Sequence, residues 1–171
     1  ADTVADEGKI WREFLAVLET VEKPVLIHYG SYETIFLHRM GETYGEPLEG
    51  SVAAKAIQTA VNLLSVTFAR VYFSTFSNGL KEIAGNLGFR WSDPTATGIR
   101  TVVWRQEWEA SRVSAAKQAL LTYNAEDCAA LEAVAHKLLD LHEGSPEAGV
   151  PFHGKVVDAA KLKWEHPYGF K

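Results

Sequence analysis

The sequence predicts an α/β domain dominated by helices, and three observations carry that prediction. Apolar residues recur at three- and four-residue spacing through most of the 171-residue chain, the pattern of helices that bury one face. Only Val25-Leu26-Ile27 and Ala60 to Leu64 read as short strands. The length suits a single globular domain with a sizeable core. One or two short strands cannot stand alone as a sheet, which needs three or more and a covered face. Either the domain is all-helical or its sheet partners lie outside the chain, and an opening at Ala1 with Met40 as the single methionine favours the second expectation.

The elements follow in order. Asp6-Glu7 open a first helix in which Trp11, Phe14, Leu15 and Leu18 share a face, and Pro24 stops it. The Val25–Ile27 run leads to Gly30-Ser31, a turn in which Ser31 is placed to cap a second helix. That helix ends near Gly45-Glu46-Pro47. Residues 51–70 are rich in Ala, Val and Leu, and periodicity does not divide them. Asn78-Gly79 begins a helix through Leu80, Ile83, Ala84 and Leu87, closed by Gly88. A loop from Ser92 to Gly98 precedes a helix holding Val103, Trp104 and Trp108. A long helix is expected from about Ser114 to His142, and after Gly144 and Pro146 a Lys-containing tail reads as a connector.

Composition excludes several classes. A lone Cys128 rules out a disulfide framework within the chain and fits a reducing compartment. No apolar run approaches the ~18 residues of a membrane span, so the expected location is the cytoplasm. The net charge is −5, unevenly spread: −6 over residues 1–50, +4 over 51–117, −5 over 118–149 and +2 over 150–171. A basic middle between acidic flanks suits a surface that follows phosphates beside an acidic centre, though ordinary solvated surface gives the same pattern.

Two acids fall on apolar stripes. Leu120, Tyr123, Asp127, Leu131, Val134 and Leu138 lie on one face of the last helix. Glu33, Leu37, Met40 and Tyr44 do the same on the second. An ionised carboxylate buried without a partner costs several kcal/mol, so inward-facing acids call for a cation. Glu33 in a first helical turn also gains ~0.3–1 kcal/mol from the helix dipole, and the structural reading of Asp127 is that it caps a break near Asn124 and pairs with a nearby Arg. Trp104 and Trp108, one turn apart with Arg100, Arg105 and Arg112 nearby, could be a base-stacking platform, but aromatics at this spacing are more often core. Cys128 reads as a small buried hydrophobe. No Gly-x-Ser-x-Gly elbow, phosphate-binding Gly loop or zinc-type His spacing is present.

The stretch Thr122-Tyr123-Asn124-Ala125-Glu126-Asp127-Cys128 resembles the third motif of the DEDD exonuclease superfamily in its tyrosine variant, a Tyr four residues before an Asp on a helix. Ile27-His28-Tyr29-Gly30-Ser31-Tyr32-Glu33 resembles the second motif, with Glu33 where most members have Asp. With Trp11 to Leu15, Leu80 to Ala84 and Leu87-Gly88-Phe89 in order between and around them, these blocks are similar to the ribonuclease-H-like domains of predicted RecB-family nucleases over residues 7–142.

The resemblance implies a ribonuclease-H-like α/β fold and 3′–5′ exonuclease hydrolysis of phosphodiesters in DNA or RNA by two Mg²⁺ or Mn²⁺ ions about 4 Å apart. It makes Glu33 and Asp127 metal-linked carboxylates and Tyr123 the group that orients the attacking water. His28 and Ser31 become substrate-side groups. The expected partner is nucleic acid, a single-stranded end in preference to duplex, together with other domains of a longer chain and no membrane. Residues 1–143 would be the nuclease domain and 144–171 the connector. The family's first motif, Asp-x-Glu on a first strand, has no match before Trp11, so the resemblance implies that the first strands precede Ala1. The chain alone is then expected to bind metal weakly and to be inactive or nearly so. Asn62 stands where relatives often have Asp. The alternative is a non-catalytic nucleic-acid-binding or interaction module.

Overall fold

A computed structural model describes residues 2–143, and the chain divides into two compact units, residues 1–69 and 70–171. The connector expected over 144–171 lies outside the described residues.

The first unit is built on helix α1 (Val4–Thr20). Its start is fixed by a capping box: the Asp6 N–H donates to the Thr3 hydroxyl at 3.2 Å, and the Asp6 carboxylate accepts from the Thr3 N–H at 2.9 Å. Leu18 packs with Ala53 and Ala56, and Phe14, Leu15, Leu26 and Ile57 close around them. Trp11 is buried, and its indole N–H donates to the Gly45 carbonyl at 2.9 Å, tying α1 to the end of α2 (Tyr32–Tyr44). Gly45 ends α2 at φ 107°, as expected.

Strands β1 (Ile27–His28) and β2 (Val61–Asn62) pair in parallel, Ile27 opposite Val61 and His28 opposite Asn62. The ladder begins later than the apolar run suggested, because Val25 is largely exposed and only Leu26 onward engages β2, through the Val61 N–H on the Leu26 carbonyl at 2.8 Å. The 51–70 stretch resolves into α3 (Val52–Gln58), β2 and α4 (Leu63–Arg70). Helix α3 starts where the Ser51 hydroxyl accepts the Ala54 N–H and the Glu19 carboxylate accepts the Ala53 N–H. The Asn62 amide oxygen accepts both the Gly30 N–H at 3.0 Å and the Leu64 N–H at 3.1 Å. Asn62 therefore ties the β1–α2 turn to the start of α4, work that an amide performs without a charge.

The second unit holds α5 (Leu80–Asn86), α6 (Gly98–Ser111) and α7 (Ser114–Glu143). Only Arg112, in the left-handed region at φ 56°, and Val113 separate α6 from α7, which makes the pair an antiparallel hairpin. Ala96, Trp104 and Ala116 form one core cluster, with Trp108, Ala119, Leu120 and Tyr123 against it. Ile83 and Ala84 of α5 are fully buried, as are Ala130 and Val134 of α7, with which α5 packs. No helix among the described residues is long and apolar enough to cross a membrane.

Candidate active site

The second unit gathers the third-motif residues. Tyr123 and Asp127 lie one turn apart on the same face of α7, as their spacing requires. The Asp127 Oδ1 accepts the Trp91 indole N–H at 2.9 Å, and the Tyr123 hydroxyl donates to the same carboxylate. Burial first, and then the charge of Asp127 and this hydrogen bond, push the Tyr123 phenol above its ordinary pKa, so it stays protonated at neutral pH. The neighbouring Glu126 accepts the Ser92 N–H at 2.9 Å. Two consecutive acids of α7 thus grip residues 91 and 92.

Trp91 is placed by the end of α5. The Phe89 N–H reaches back to the Ala84 carbonyl at 2.9 Å and the Gly88 N–H to the Gly85 carbonyl at 3.1 Å, a Schellman turn with Gly88 at φ 94°. The chain leaves this turn with Phe89 edge-on to Trp91, ring centroids 4.8 Å apart at 73°. The Lys81 ammonium lies 5.1 Å from the Trp91 ring and 4.9 Å from the Tyr123 ring, and it donates to the Ala96 carbonyl. In the following loop the Asp93 carboxylate accepts the Thr95 hydroxyl and N–H, which hold its pKa below the usual carboxylate value. Trp91, Lys81 and Glu126 are the residues sequence reasoning missed. Lys81 and Glu126 lie inside blocks the sequence singled out without being picked from them, and Trp91 lies two residues past the Leu87-Gly88-Phe89 block.

The first unit holds the second-motif residues. His28 is buried at 7% exposure, and its Nδ1 lies 2.8 Å from the Gly30 carbonyl. A carbonyl can only accept, so Nδ1 carries the proton. The Glu33 carboxylate is 4.0 Å from the same nitrogen, with its side chain 48% exposed. Glu33 and His28 edge a groove whose apolar wall includes Phe14, Phe36 and Leu37. Ser31 precedes α2, but its hydroxyl makes no cap bond. Instead the Thr34 hydroxyl donates to the Ser31 carbonyl at 3.0 Å.

Two expectations are corrected. Glu33 is not turned into the core: Leu37 and Met40 below it take up that face, while the first turn opens onto the groove rim. Cys128 is exposed, not buried, because it shares the solvent face of α7 with Leu121, Ala125 and Glu132. The core reading of Trp104 holds at 8% exposure. Arg100 covers its ring at 5.8 Å, and Arg112 and Lys117 cover that of Trp108 at 5.2 and 5.1 Å, so both indoles already carry intramolecular cations.

Among the described residues no group of three or more His, Cys, Asp or Glu side chains is arranged to hold a metal ion. The donor chemistry nonetheless fits a hard divalent cation in part. Asp127 is met by two neutral donors and has no Lys or Arg within ion-pair distance among the described residues, and Glu33 meets only His28. Asp127 keeps lone pairs that no Lys or Arg among the described residues claims, while Glu33 has His28 beside it. No strand among the described residues carries Asp-x-Glu, since β1 and β2 read Ile-His and Val-Asn.

The chain belongs to the ribonuclease H superfamily: the family model RNase_H_2 matches residues 1–139. No curated protein and no solved structure matches it.

Proposed function

We propose that this chain is a metal-dependent nuclease domain that hydrolyses phosphodiesters of DNA or RNA, acting as a 3′–5′ exonuclease by the two-metal route. The observation that carries the reading is the Tyr123–Asp127 pair, a carboxylate met only by neutral donors with a protonated phenol one turn away. Membership of a superfamily of nucleases that generally use divalent ions supports it. Asp127 and Glu33 would hold the metals. When bound, divalent ions supply an activated water and charge stabilisation at the leaving oxygen.

The chain's own residues do the rest. The Tyr123 hydroxyl donates its one hydrogen to Asp127 and keeps its proton, so it would orient an attacking water by accepting from it and does not deprotonate it. His28 lines the groove with its Nδ1 held at the Gly30 carbonyl, and on this reading it and the neighbouring Ser31 would meet the substrate. The apolar wall of that groove suits an unstacked base and a single-stranded 3′ end. On this reading residues 1–143 are the nuclease domain, 144–171 a connector to further domains, and the location cytoplasmic.

One observation favours a second reading, a non-catalytic nucleic-acid-binding or interaction module. Asp127 and Glu126 both fasten residues 91–92, which is a structural role complete in itself. The two readings separate in a Mn²⁺ assay on labelled DNA and RNA with the full natural polypeptide. Cleavage lost in both Glu33→Ala and Asp127→Ala supports the nuclease. Binding without cleavage, indifferent to both substitutions, supports the module and refutes the nuclease.

A further inference from the structure

We propose that the corner of the α6–α7 hairpin, where Arg112 and Lys117 lie against Trp108, is a contact surface for the phosphate backbone of a nucleic acid. The inference rests on the nuclease reading for the class of partner, and adds a second place where that partner is held.

The corner is positive because acids are kept out of it. From Ala110 to Ala125 the chain carries Arg112 and Lys117 and no Asp or Glu. Of the two acids in α6, Glu109 is closed into an ion pair with Arg105 at 2.6 Å, and Glu107 is exposed to solvent. The acids of α7 begin at Glu126, about 13 Å beyond Lys117 along the helix axis. That exceeds the ~8 Å over which exposed charges act at physiological salt, so the acidic end of α7 does little to cancel the corner.

The two cations are also ordered in advance. The Arg112 guanidinium lies 5.2 Å from the centre of the Trp108 ring and the Lys117 ammonium 5.1 Å. Long basic side chains lose rotamer freedom on binding, and here part of that loss precedes any ligand. Arg112 is exposed and stands at φ 56°, a conformation that Gly or Asn adopts more readily. A helix stop by itself asks for neither a long side chain nor a charge at that position. The Trp108 indole N–H is buried and meets no acceptor among the described residues. A buried donor left unmet is uncommon, and a phosphate oxygen drawn in by the two cations would meet it. All three side chains donate and none accepts, which fits phosphate. With its ring covered by cations, Trp108 is closed to base stacking, so the corner follows the backbone and not the sequence.

The test is binding of a fluorescein-labelled single-stranded oligonucleotide by the full natural polypeptide in EDTA, followed by anisotropy across a KCl series. Arg112→Asn with Lys117→Gln removes both charges, and Asn suits the left-handed position. Lys9→Gln with Arg12→Gln removes two exposed charges from α1 and is the charge-matched control. Each phosphate contact on a single strand contributes about 0.7 to the slope of log K against log salt, so the corner variant should lose about 1.4 of slope and bind at least about tenfold more weakly at low salt. The control and Lys117→Arg should keep the wild-type slope. An unchanged slope in the corner variant, or an equal loss in the control, overturns the inference; the nuclease reading still stands if Asp127→Ala abolishes Mn²⁺ cleavage. A corner variant that loses binding to polyglutamate but not to the oligonucleotide overturns it in favour of an acidic protein partner. No binding by wild type also overturns it, and the cleavage assay then judges the nuclease reading separately. If the corner variant fails to fold, the ¹⁵N spectrum of wild type decides. The Trp108 indole N–H should shift ahead of the other four indoles as oligonucleotide is added in EDTA, and an unmoved signal refutes the inference.

Discussion

Replacing Gly88 by Ala should destabilise the second unit, while replacing Gly85 by Ala, three residues earlier, should stabilise it. Gly88 sits at φ 94°, outside the range L-residues favour, and a Cβ built there meets nothing within 4 Å. The cost is thus conformational with no steric part, about 1–2 kcal/mol for forcing an L-residue into the left-handed region. Gly85 lies within α5, has an ordinary helical φ, and its Cβ also meets open space. There Ala recovers about 0.5–1 kcal/mol of backbone entropy. The two variants therefore differ by about 1.5–3 kcal/mol with the same single methyl added. At about 2–4 °C per kcal/mol for a chain of this size, that is a gap of about 3–12 °C in scanning calorimetry. Gly88→Ala should also loosen the Phe89–Trp91 pair, seen as a change in the Trp91 indole resonance that Gly85→Ala does not produce. Equal melting temperatures for the two variants, or a Gly88→Ala protein more stable than wild type, would refute the Schellman account of how Trp91 is placed.

Further outcomes follow from the same cluster. Lys81→Met keeps the aliphatic stem but loses the cation on two rings and the donor to Ala96, so chemical denaturation should show a loss of about 1–2 kcal/mol, half-buried cation–π contacts being worth about 0.5–2 kcal/mol. The Tyr123 phenol has a folded pKa above its unfolded value near 10, so the folded state binds the extra proton. The stability this confers is complete below the unfolded pKa and is lost as pH rises through the folded one. Denaturation midpoints followed upward from pH ~9 should therefore fall less steeply in Tyr123→Phe than in wild type; parallel curves would contradict the environment described for Tyr123.

How much of this was legible in sequence depends on the kind of contact. The α7 face was legible because one continuous helix fixes which residues align, and Tyr123, Asp127 and Val134 fall on it as their spacing requires. The helix stops at Gly45 and Gly88 were legible because a positive φ selects glycine. Within residues 51–70 the short strand at Val61–Asn62 was legible, but the helices on either side were not, since seven or eight residues leave little period to count. Glu33 shows the limit of a stripe argument: a helix's first turn can share a face with the core and still open onto solvent. The Trp91–Asp127 bond joins residues 36 apart through a loop, and no local pattern announces such a pair. The structural task of Asn62 was hidden for the same reason, its oxygen serving Gly30 from 32 residues away.

The most direct measurement of the central claim is the product pattern from a single-stranded oligonucleotide labelled at its 5′ end, incubated with Mn²⁺ and the full natural polypeptide, with and without Asp127→Ala. The account predicts a ladder shortened stepwise from the 3′ end in wild type and an intact substrate with Asp127→Ala. A ladder unchanged by Asp127→Ala would contradict it.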